Sequence, residues 1–377
     1  MSKAFIIKTE TAVLDDLKNR LHNTRWTDEI NGAEWNYGTN LQYLKELCRY
    51  WEHDFDWKKQ EDFLNSFPHF KTTIEGLKIH YMHCKGKSSV TQPLLLTHGF
   101  PDSIVRFLKI IPLLTNADNN DLSFNLVIPS IPGYGFSEIP STPGMGPGKI
   151  ADIFHQLMSE HLGYKKYFAH GGDWGSSITE QLAVKNPSSL LGIHLTDIPF
   201  RHLFSIPEGE LTESEKKYLE KGKAWSSTEG AYAMIQATKP QTLAYGLNDS
   251  PAALASWIVE KFYRWSDCNG NIETCFTKDE LLTNVMIYWK TQTINSAMRL
   301  YYETMHSEQQ EVPRTEVPAG AAIFPKDLVT APKEYGSRIF NVQQWSEMPK
   351  GGHFAAMEQP ELLANDIRKF VTKVMKI

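Results

Sequence analysis

A glycine-rich segment in the middle of the chain carries a residue that could act as a nucleophile. Gly171-Gly172-Asp173-Trp174-Gly175 lies between a short apolar run and a helical pattern. Glycines there allow a sharp turn from a strand into a helix, and the strained central residue then projects its side chain above the sheet. That residue is Asp173, whose carboxylate is ionised at neutral pH and can displace a leaving group from saturated carbon, giving an enzyme ester. Taken alone, the segment fits a turn with an aspartate helix cap equally well.

A second loop could donate hydrogen bonds to the negative charge that develops in such chemistry. His98-Gly99-Phe100-Pro101 closes an earlier apolar run. In hydrolases with a nucleophile turn of this kind, one donor is a backbone N–H of this loop, and the other is the N–H that follows the nucleophile. The sequence therefore predicts an oxyanion hole formed by the backbone amides of Phe100 and Trp174.

A histidine and an aspartate stand where a base and its partner would be needed. Gly351-Gly352-His353-Phe354 follows the last strand-like run and precedes the final helical pattern, and Asp327 follows an earlier run. The chain order of nucleophile, acid and histidine is the one used by hydrolases with this turn. We therefore predict a catalytic triad of Asp173, Asp327 and His353. Asp197 also ends a strand-like run and is the alternative acid.

The elements that would position these residues alternate between short strands and helices. Apolar runs at 93–97, 124–129 and 167–169 end in turns, and a helical pattern extends from Ile150 to Leu162. A strand pattern returns near residues 321–324 and is followed by an apolar-periodic helix at the end of the chain. Short buried strands that alternate with helices indicate a parallel sheet with helices on both faces.

The 377 residues exceed the roughly 200–250 of a large single α/β domain, and two helix-rich parts account for the surplus. Leu14, Leu17 and Leu21 share one helical face in an N-terminal arm that shows no strand of its own, and we expect its tryptophans to pack it onto the core. Residues from about Pro207 to Glu311 are helix-rich and dense in Trp and Tyr, as in an insertion between two halves of a sheet. We therefore divide the chain into an arm leading into the first strands (1–92), a first half of the core (93–206), a helical lid (207–311) and a second half of the core (312–377).

The composition excludes several classes of protein. The net charge of −5 argues against a basic surface for nucleic acid, no apolar run approaches the ~18 residues of a membrane span, and the N-terminus lacks a signal-peptide pattern. The 4 cysteines include no CxxC pair, so neither a disulfide framework nor a zinc site is indicated. Gly133-Tyr134-Gly135 lacks the third glycine of a dinucleotide-binding turn. We therefore expect a cytoplasmic protein with no metal, no cofactor, no nucleic-acid partner and no membrane anchor.

These motifs resemble those of the microsomal-type epoxide hydrolases, a branch of the α/β-hydrolases, over nearly the whole chain. The marks in the core are His98-Gly99-Phe100-Pro101, Gly172-Asp173-Trp174-Gly175 and Gly351-Gly352-His353-Phe354-Ala355-Ala356 with Glu358. Those in the arm and the insert are Leu14-Asp15-Asp16-Leu17, Thr24-Arg25-Trp26, Phe55-Asp56-Trp57, Phe67-Pro68, Ala237-Thr238-Lys239-Pro240, Leu247-Asn248-Asp249-Ser250-Pro251 and Leu281-Leu282-Thr283-Asn284-Val285. The resemblance implies an α/β-hydrolase fold, with a mostly parallel central sheet flanked by helices, a helical lid and an N-terminal helical arm.

The resemblance also implies two lid tyrosines that hold the epoxide oxygen. Tyr232 and Tyr302 match by context, and Tyr301 is the alternative for the second because the tyrosine doublet leaves the register uncertain by one residue. The chemistry agrees, since opening an epoxide generates an alkoxide and a phenol can donate first a hydrogen bond and then the proton. By the same resemblance, His98, Pro101 and Tyr301 are expected to contact the substrate.

The implied activity is hydrolysis of a hydrophobic epoxide to a vicinal diol through a covalent ester on Asp173, with a small-molecule epoxide and water as the partners. Membrane-bound relatives carry an N-terminal anchor, which this sequence lacks, so a soluble location is implied. The sequence leaves open which epoxide is used and whether the chain forms a homo-oligomer.

Two other functions fit parts of the pattern. Haloalkane and haloacid dehalogenases share the aspartate nucleophile, but Phe100 stands where haloalkane dehalogenases prefer a polar residue, and Trp174 stands where fluoroacetate dehalogenases carry arginine. A catalytically silent α/β-hydrolase that acts as a small-molecule receptor is the alternative from another class. The predicted triad together with two lid tyrosines favours an enzyme over that receptor.

Overall fold

A computed structural model describes residues 2–117, 121–203, 205–206, 208–307 and 312–376. Within those residues, nine strands form one sheet. The strands are β1 (Lys3–Ala4), β2 (His69–Ile74), β3 (Leu77–Cys84), β4 (Val90–Thr97), β5 (Leu122–Pro129), β6 (Tyr167–Gly171), β7 (Leu190–Leu195), β8 (Thr315–Ile323) and β9 (Phe340–Glu347).

The sheet is antiparallel at one edge and parallel elsewhere. The strand order is β1-β2-β3-β5-β4-β6-β7-β8-β9, with antiparallel pairing from β1 to β5 and parallel pairing from β5 to β9. In the parallel part, Thr97 pairs with Gly171, Gly171 with Leu195, and Leu195 with Ala321. The carboxyl ends of four neighbouring strands therefore lie at one edge, where the loops that follow them meet.

Helices cover both faces of the sheet and extend beyond it. Those of the arm are α1 (Thr11–His22), α2 (Leu41–His53) and α3 (Trp57–Asn65). Those of the first half of the core are α4 (Ile110–Thr115), α5 (Pro147–Gln156), which continues as a π-turn over Leu157–His161, and α6 (Trp174–Lys185). Those of the insert are α7 (Glu213–Thr228), α8 (Ala231–Thr238), α9 (Pro240–Asp249), α10 (Pro251–Arg264), α11 (Lys278–Thr291) and α12 (Ile294–His306), and the chain ends with α13 (Lys333–Ile339), α14 (Ala355–Glu358) and α15 (Pro360–Met375).

The sequence predictions for the sheet and the insert agree with this architecture. The three apolar runs form β4, β5 and β6, and the strand pattern near residues 321–324 forms the end of β8. The described residues of the insert form helices and no strand. The domain boundaries themselves stay a prediction. No helix in the described part of the chain is long and apolar enough to cross a membrane.

The arm corrects two expectations. Lys3–Ala4 pairs with residues 70–71 of β2, so the arm does have a strand, but two residues are too few to show an alternating pattern. Leu17, Leu21 and Trp51 are buried as expected, whereas Trp26 is 39% exposed and lies under the ammonium of Lys45 instead of in the core.

Arm side chains also contact the insert. The Trp35 ring stacks on Tyr263 of α10 with the ring centroids 3.9 Å apart, and the hydroxyl of Tyr50 donates to a carboxylate oxygen of Asp279 in α11 at 2.8 Å. The arm is therefore packed against the lid as well as against the sheet.

Several histidines in the strands of the sheet are buried. His80 of β3 contacts His69 of β2 at 2.9 Å between ring nitrogens, and its other nitrogen contacts the hydroxyl of Ser130 at 2.9 Å. Burial, reinforced by the neighbouring His69, lowers the pKa of His80 well below its usual value. Burial lowers the pKa of His170 in β6 in the same way, with His194 as the second cause. Both imidazoles are therefore neutral in the folded protein.

We expect the free energy of unfolding to fall as the pH drops below about 6.5, the ordinary histidine pKa. Below that pH the unfolded chain binds protons that the folded His80 cannot bind, so the unfolded state gains stability. Replacement of His80 by Gln should reduce the slope of unfolding free energy against pH by up to about 1.4 kcal/mol per pH unit. Urea unfolding between about pH 5 and 8 measures this slope.

The matched control is His53→Gln, because the His53 side chain is 59% exposed. That variant should leave the slope unchanged. An unaltered slope in His80→Gln would show that the acid sensitivity has another origin.

Candidate active site

The nucleophile turn forms where β6 passes into α6. Asp173 adopts φ 58° and ψ −129°, a positive φ that is strained for a residue with a side chain. A Cβ on Gly171 would overlap the carbonyl of Gly175, and one on Gly175 would overlap the carbonyl of Thr97. The glycines predicted to permit the turn are therefore required by backbone contacts on both sides of it.

Asp197, which follows β7, supports this turn from below. Its carboxylate accepts hydrogen bonds from the backbone N–H of Asp173 at 2.8 Å and from the hydroxyl of Ser176 at 2.7 Å. Burial, reinforced by the charge of Asp327, raises the pKa of Asp197 to about 6. Both carboxylate oxygens of Asp197 are thus engaged by the turn, which explains why another residue faces the histidine.

His353 lies between two carboxylates. Its Nδ1 is 2.6 Å from Oδ1 of Asp327, and its Nε2 is 3.2 Å from Oδ2 of Asp173. Burial alone would lower the pKa of His353, but the charges of Asp327 and Asp173, together with the hydrogen bond to Asp327, outweigh it and raise the pKa to about 10. The structure therefore brings together the three residues predicted from chain order, with His353 as an imidazolium in the resting site.

One predicted donor contacts the Asp173 carboxylate, and the other is the residue that follows Asp173 in the chain. The backbone N–H of Phe100 donates to Oδ1 of Asp173 at 2.8 Å. Trp174 is the first residue of α6, and an N–H at that position has no partner within the helix. Oδ1 is therefore held at the donor that would stabilise an oxyanion, while Oδ2 faces the histidine.

The lid provides one tyrosine as expected and corrects the other. Tyr232 in α8 and Tyr301 in α12 are both buried, with ring centroids 5.9 Å apart. Tyr301 also contacts the Trp174 ring edge-on at 4.7 Å between centroids. Burial is the main cause that raises the pKa of both phenols, and the nearby charge of Asp173 adds to it.

Tyr302 was the wrong member of the doublet. Its side chain is 37% exposed, and its ring stacks on His306 with the centroids 4.0 Å apart. Consecutive residues on a helix point about 100° apart, so only one tyrosine of the pair can face the site. That residue is Tyr301, the alternative given by the sequence.

His98 is also corrected, because it does not face the substrate side. Its ring is fully buried, with Nδ1 3.0 Å from the carbonyl oxygen of Gly99 and Nε2 3.2 Å from the backbone N–H of Ile131. Both ring nitrogens thus bind the backbone, and His98 shapes the oxyanion loop. Pro101 lies in the same loop, and its carbonyl oxygen accepts from the side-chain amide of Asn284 at 2.8 Å. Its contact with substrate stays a prediction.

Known proteins share both the sequence and the fold of this chain. The family model described as epoxide hydrolase N terminus matches residues 2–107, and that described as alpha/beta hydrolase fold matches residues 92–244. Epoxide hydrolase 1 of Oryctolagus cuniculus is 39% identical, over 98% of this chain and 88% of the relative. The chain belongs to the epoxide hydrolase family.

Solved structures of epoxide hydrolases superpose on the whole chain. The crystal structure of juvenile hormone epoxide hydrolase from Bombyx mori has a TM-score of 0.92 and 33% identity, and it covers 100% of this chain and 95% of its own. The epoxide hydrolase of Aspergillus niger has a TM-score of 0.88 and 32% identity, covering 99% and 97%. The protein is therefore an enzyme with epoxide hydrolase activity, and it has an α/β-hydrolase fold. This finding favours epoxide hydrolysis over the dehalogenase and receptor alternatives.

This epoxide hydrolase has supporting residues that the sequence reasoning missed. Asp102 accepts from the N–H of Gly99 at 2.8 Å and forms an ion pair with Arg106, which in turn donates to the carbonyl oxygen of His353 at 2.7 Å. Although burial would raise the pKa of Asp102, the guanidinium of Arg106 holds it below its usual range. One buried ion pair therefore connects the oxyanion loop to the histidine loop. In the sequence, this ion pair is indicated only by the spacing of four residues between Asp102 and Arg106.

Glu358 connects the histidine loop to the lid. Its carboxylate accepts from the backbone N–H groups of Asp267 at 2.8 Å, Gly352 at 3.0 Å and Phe354 at 3.0 Å. Burial is the main cause that raises the pKa of Glu358 to about 7. The sequence marked Glu358 only by resemblance, and its role as a backbone acceptor on both sides of His353 needed the structure.

We expect Tyr301→Phe to lower kcat/KM for an epoxide by about 10- to 100-fold. A positioned proton donor contributes about 100- to 10,000-fold, and the loss is smaller here because Tyr232 remains. Tyr302→Phe is the matched control and should keep wild-type kinetics, since its phenol is on the outer side of α12. Steady-state diol formation measures both variants. Equal losses in the two would contradict the placement of Tyr301 in the site.

Proposed function

We propose that this epoxide hydrolase opens a hydrophobic epoxide by attack of Asp173 and then hydrolyses the resulting aspartyl ester. The observation that carries the proposal is the position of the Asp173 carboxylate. One oxygen is 2.8 Å from the Phe100 amide, and the other is 3.2 Å from Nε2 of His353. The two oxygens thus have separate roles, one as the future carbonyl oxygen and one as the attacking atom.

In the first step, Oδ2 of Asp173 forms a bond to an epoxide carbon, and the bond from that carbon to the ring oxygen breaks. The developing alkoxide accepts hydrogen bonds from Tyr232 and Tyr301 and takes a proton from one of them. Both phenols are buried and both are affected by the charge of Asp173, which supports their placement opposite the nucleophile. The product of this step is a hydroxyalkyl ester.

In the second step, His353 removes a proton from water, and the water oxygen attacks the ester carbonyl carbon. Ester formation removes the negative charge of Asp173, which is one cause of the raised pKa of His353. The imidazolium can then release its proton and act as a base, while Asp327 continues to orient it at 2.6 Å. The amides of Phe100 and Trp174 hold the oxyanion. As the intermediate collapses, the bond from the carbonyl carbon to the diol oxygen breaks, and that oxygen takes the proton from His353, so that the diol leaves.

The surroundings support a hydrophobic epoxide as the substrate. The rings of Phe100, Trp174 and Trp265 adjoin the two tyrosines. The silkworm neighbour acts, by its name, on juvenile hormone, so that epoxide belongs in a panel with aryl and aliphatic epoxides. The cytoplasmic location stays a prediction.

His353→Gln should accumulate an ester on Asp173, because opening of the epoxide needs no base and hydrolysis does. Intact-mass measurement after mixing with a reactive epoxide should show the enzyme mass increased by the mass of one epoxide. Asp173→Asn under the same conditions is the control and should show no adduct. An unmodified mass in His353→Gln that still turns over no substrate would contradict the covalent route.

The two candidate acids give opposite expectations. Asp327→Asn should slow ester hydrolysis by about 100-fold or more, because the imidazole loses the charge that orients it and balances its proton. Asp197→Asn keeps an oxygen to accept the N–H of Asp173, so we expect a loss below about 10-fold. Single-turnover decay of the ester measures both. Near-full activity in Asp327→Asn with loss in Asp197→Asn would reverse the assignment.

A further inference from the structure

A buried lysine lies over the ring of a lid tyrosine. Lys261 of α10 is only 6% exposed. Its Nζ is 4.8 Å from the ring centroid of Tyr232 and 5.6 Å from that of Trp265. No step proposed above uses this ammonium group, although burial of a lysine is costly unless the charge is compensated.

The ion pair of Lys261 does not account for its position. Its ammonium is 2.5 Å from a carboxylate oxygen of Glu260, which is its neighbour in sequence. Two adjacent side chains could pair equally well at the surface, with both charges hydrated. The placement of Lys261 against the Tyr232 ring is therefore a separate feature that needs its own explanation.

A cation over an aromatic face is attracted by the electrons of the ring, and the attraction is larger when water is excluded. It increases further as a phenol loses its proton, because the ring then carries negative charge. Burial and the charge of Asp173 both oppose proton release from Tyr232, since both raise its pKa. A positive charge next to the ring acts in the opposite direction.

We propose that Lys261 is a positioning residue for epoxide opening, whose charge stabilises Tyr232 as the phenol proton moves to the epoxide oxygen. The proposal rests on the role of Tyr232 proposed above. Glu260 also acts on Tyr232 and opposes proton release, so the ion pair tunes the phenol through charges of opposite sign. In the cycle, the proton leaves the phenolic oxygen when the carbon–oxygen bond of the epoxide breaks, and solvent returns it after the diol leaves.

The other neighbour of Lys261 limits the effect to one step. Trp265 separates Lys261 from the histidine, since its ring contacts His353 edge-on at 5.4 Å between centroids. The backbone carbonyl of Trp265 accepts from the N–H of His353 at 2.8 Å. Trp265 thus holds the backbone of His353 and lies between its ring and Lys261, so we expect ester hydrolysis to be insensitive to the charge of Lys261.

Rapid mixing of enzyme with excess styrene oxide, followed by acid quench and intact mass, separates ester formation from ester hydrolysis. Lys261→Met keeps the length of the side chain and removes the charge, and it should slow ester formation about 10-fold with hydrolysis unchanged within about 2-fold. Lys261→Arg should restore ester formation to nearly the wild-type rate. In steady state, the loss should fall on kcat/KM more than on kcat.

Glu260→Gln distinguishes a charge effect from a packing effect. If the charge of Lys261 assists Tyr232, removal of the opposing carboxylate should leave ester formation as fast as in the wild type or faster. If the ion pair only stabilises the lid, Glu260→Gln should slow ester formation as Lys261→Met does. The second result would overturn the proposal.

A double-mutant cycle with Tyr232→Phe tests the route of the effect. With the phenol absent, Lys261→Met should slow ester formation by no further factor beyond about 2-fold. The same 10-fold loss in both backgrounds would show that Lys261 acts independently of the phenol, which overturns the inference while leaving the proposed function intact. Wild-type ester formation in Tyr232→Phe alone would instead remove the proposed role of Tyr232, and with it the inference.

Discussion

The active site depends on one positive imidazole placed among negative carboxylates. Asp173 and Asp327 both contact His353, and Asp197 lies close enough to Asp327 for its pKa to be raised. Without the imidazolium, these carboxylates would repel one another in a site from which water is largely excluded. Their arrangement also means that the charge of Asp173 helps to raise the pKa of His353. In the proposed mechanism, ester formation consumes that charge and so prepares His353 for the second step.

These charges stay in place only if the loops that carry them are held together. Buried polar contacts hold these loops to one another and to the lid. The Asp102–Arg106 ion pair holds the oxyanion loop to the backbone of His353. Asn284 and Tyr288 of α11 bind the carbonyls of Pro101 and Asp102 from the lid side. Because each of these groups is buried, loss of one partner would leave the other unsatisfied at a cost of about 1–3 kcal/mol. The lid thus helps to form the active site as well as covering it.

The sequence was sufficient where the structure depends on local backbone constraints. The glycines around Asp173 and the loops after β4 and β8 could be predicted, because a tight turn and the end of a parallel strand place their residues at one edge of the sheet. The choice between Tyr301 and Tyr302 could not be predicted from the sequence, because it depends on how α12 is rotated against α8. The role of His98 was likewise hidden, because its partner at Ile131 lies on another loop. Lys261 belongs to no motif, and only the fold of the lid brings it to the ring of Tyr232.

The stacking of Trp35 on Tyr263 has a consequence for how substrate enters. The arm also reaches the lid through Thr39, whose hydroxyl donates to the carbonyl of Ser256 at 2.8 Å, and through Tyr50 with Asp279. On its inner side the lid is bound to the oxyanion loop through Asn284. A swing of the whole lid would have to break the contacts on both sides at once. We therefore expect that movement of individual side chains, and not a swing of the whole lid, lets epoxide enter and diol leave.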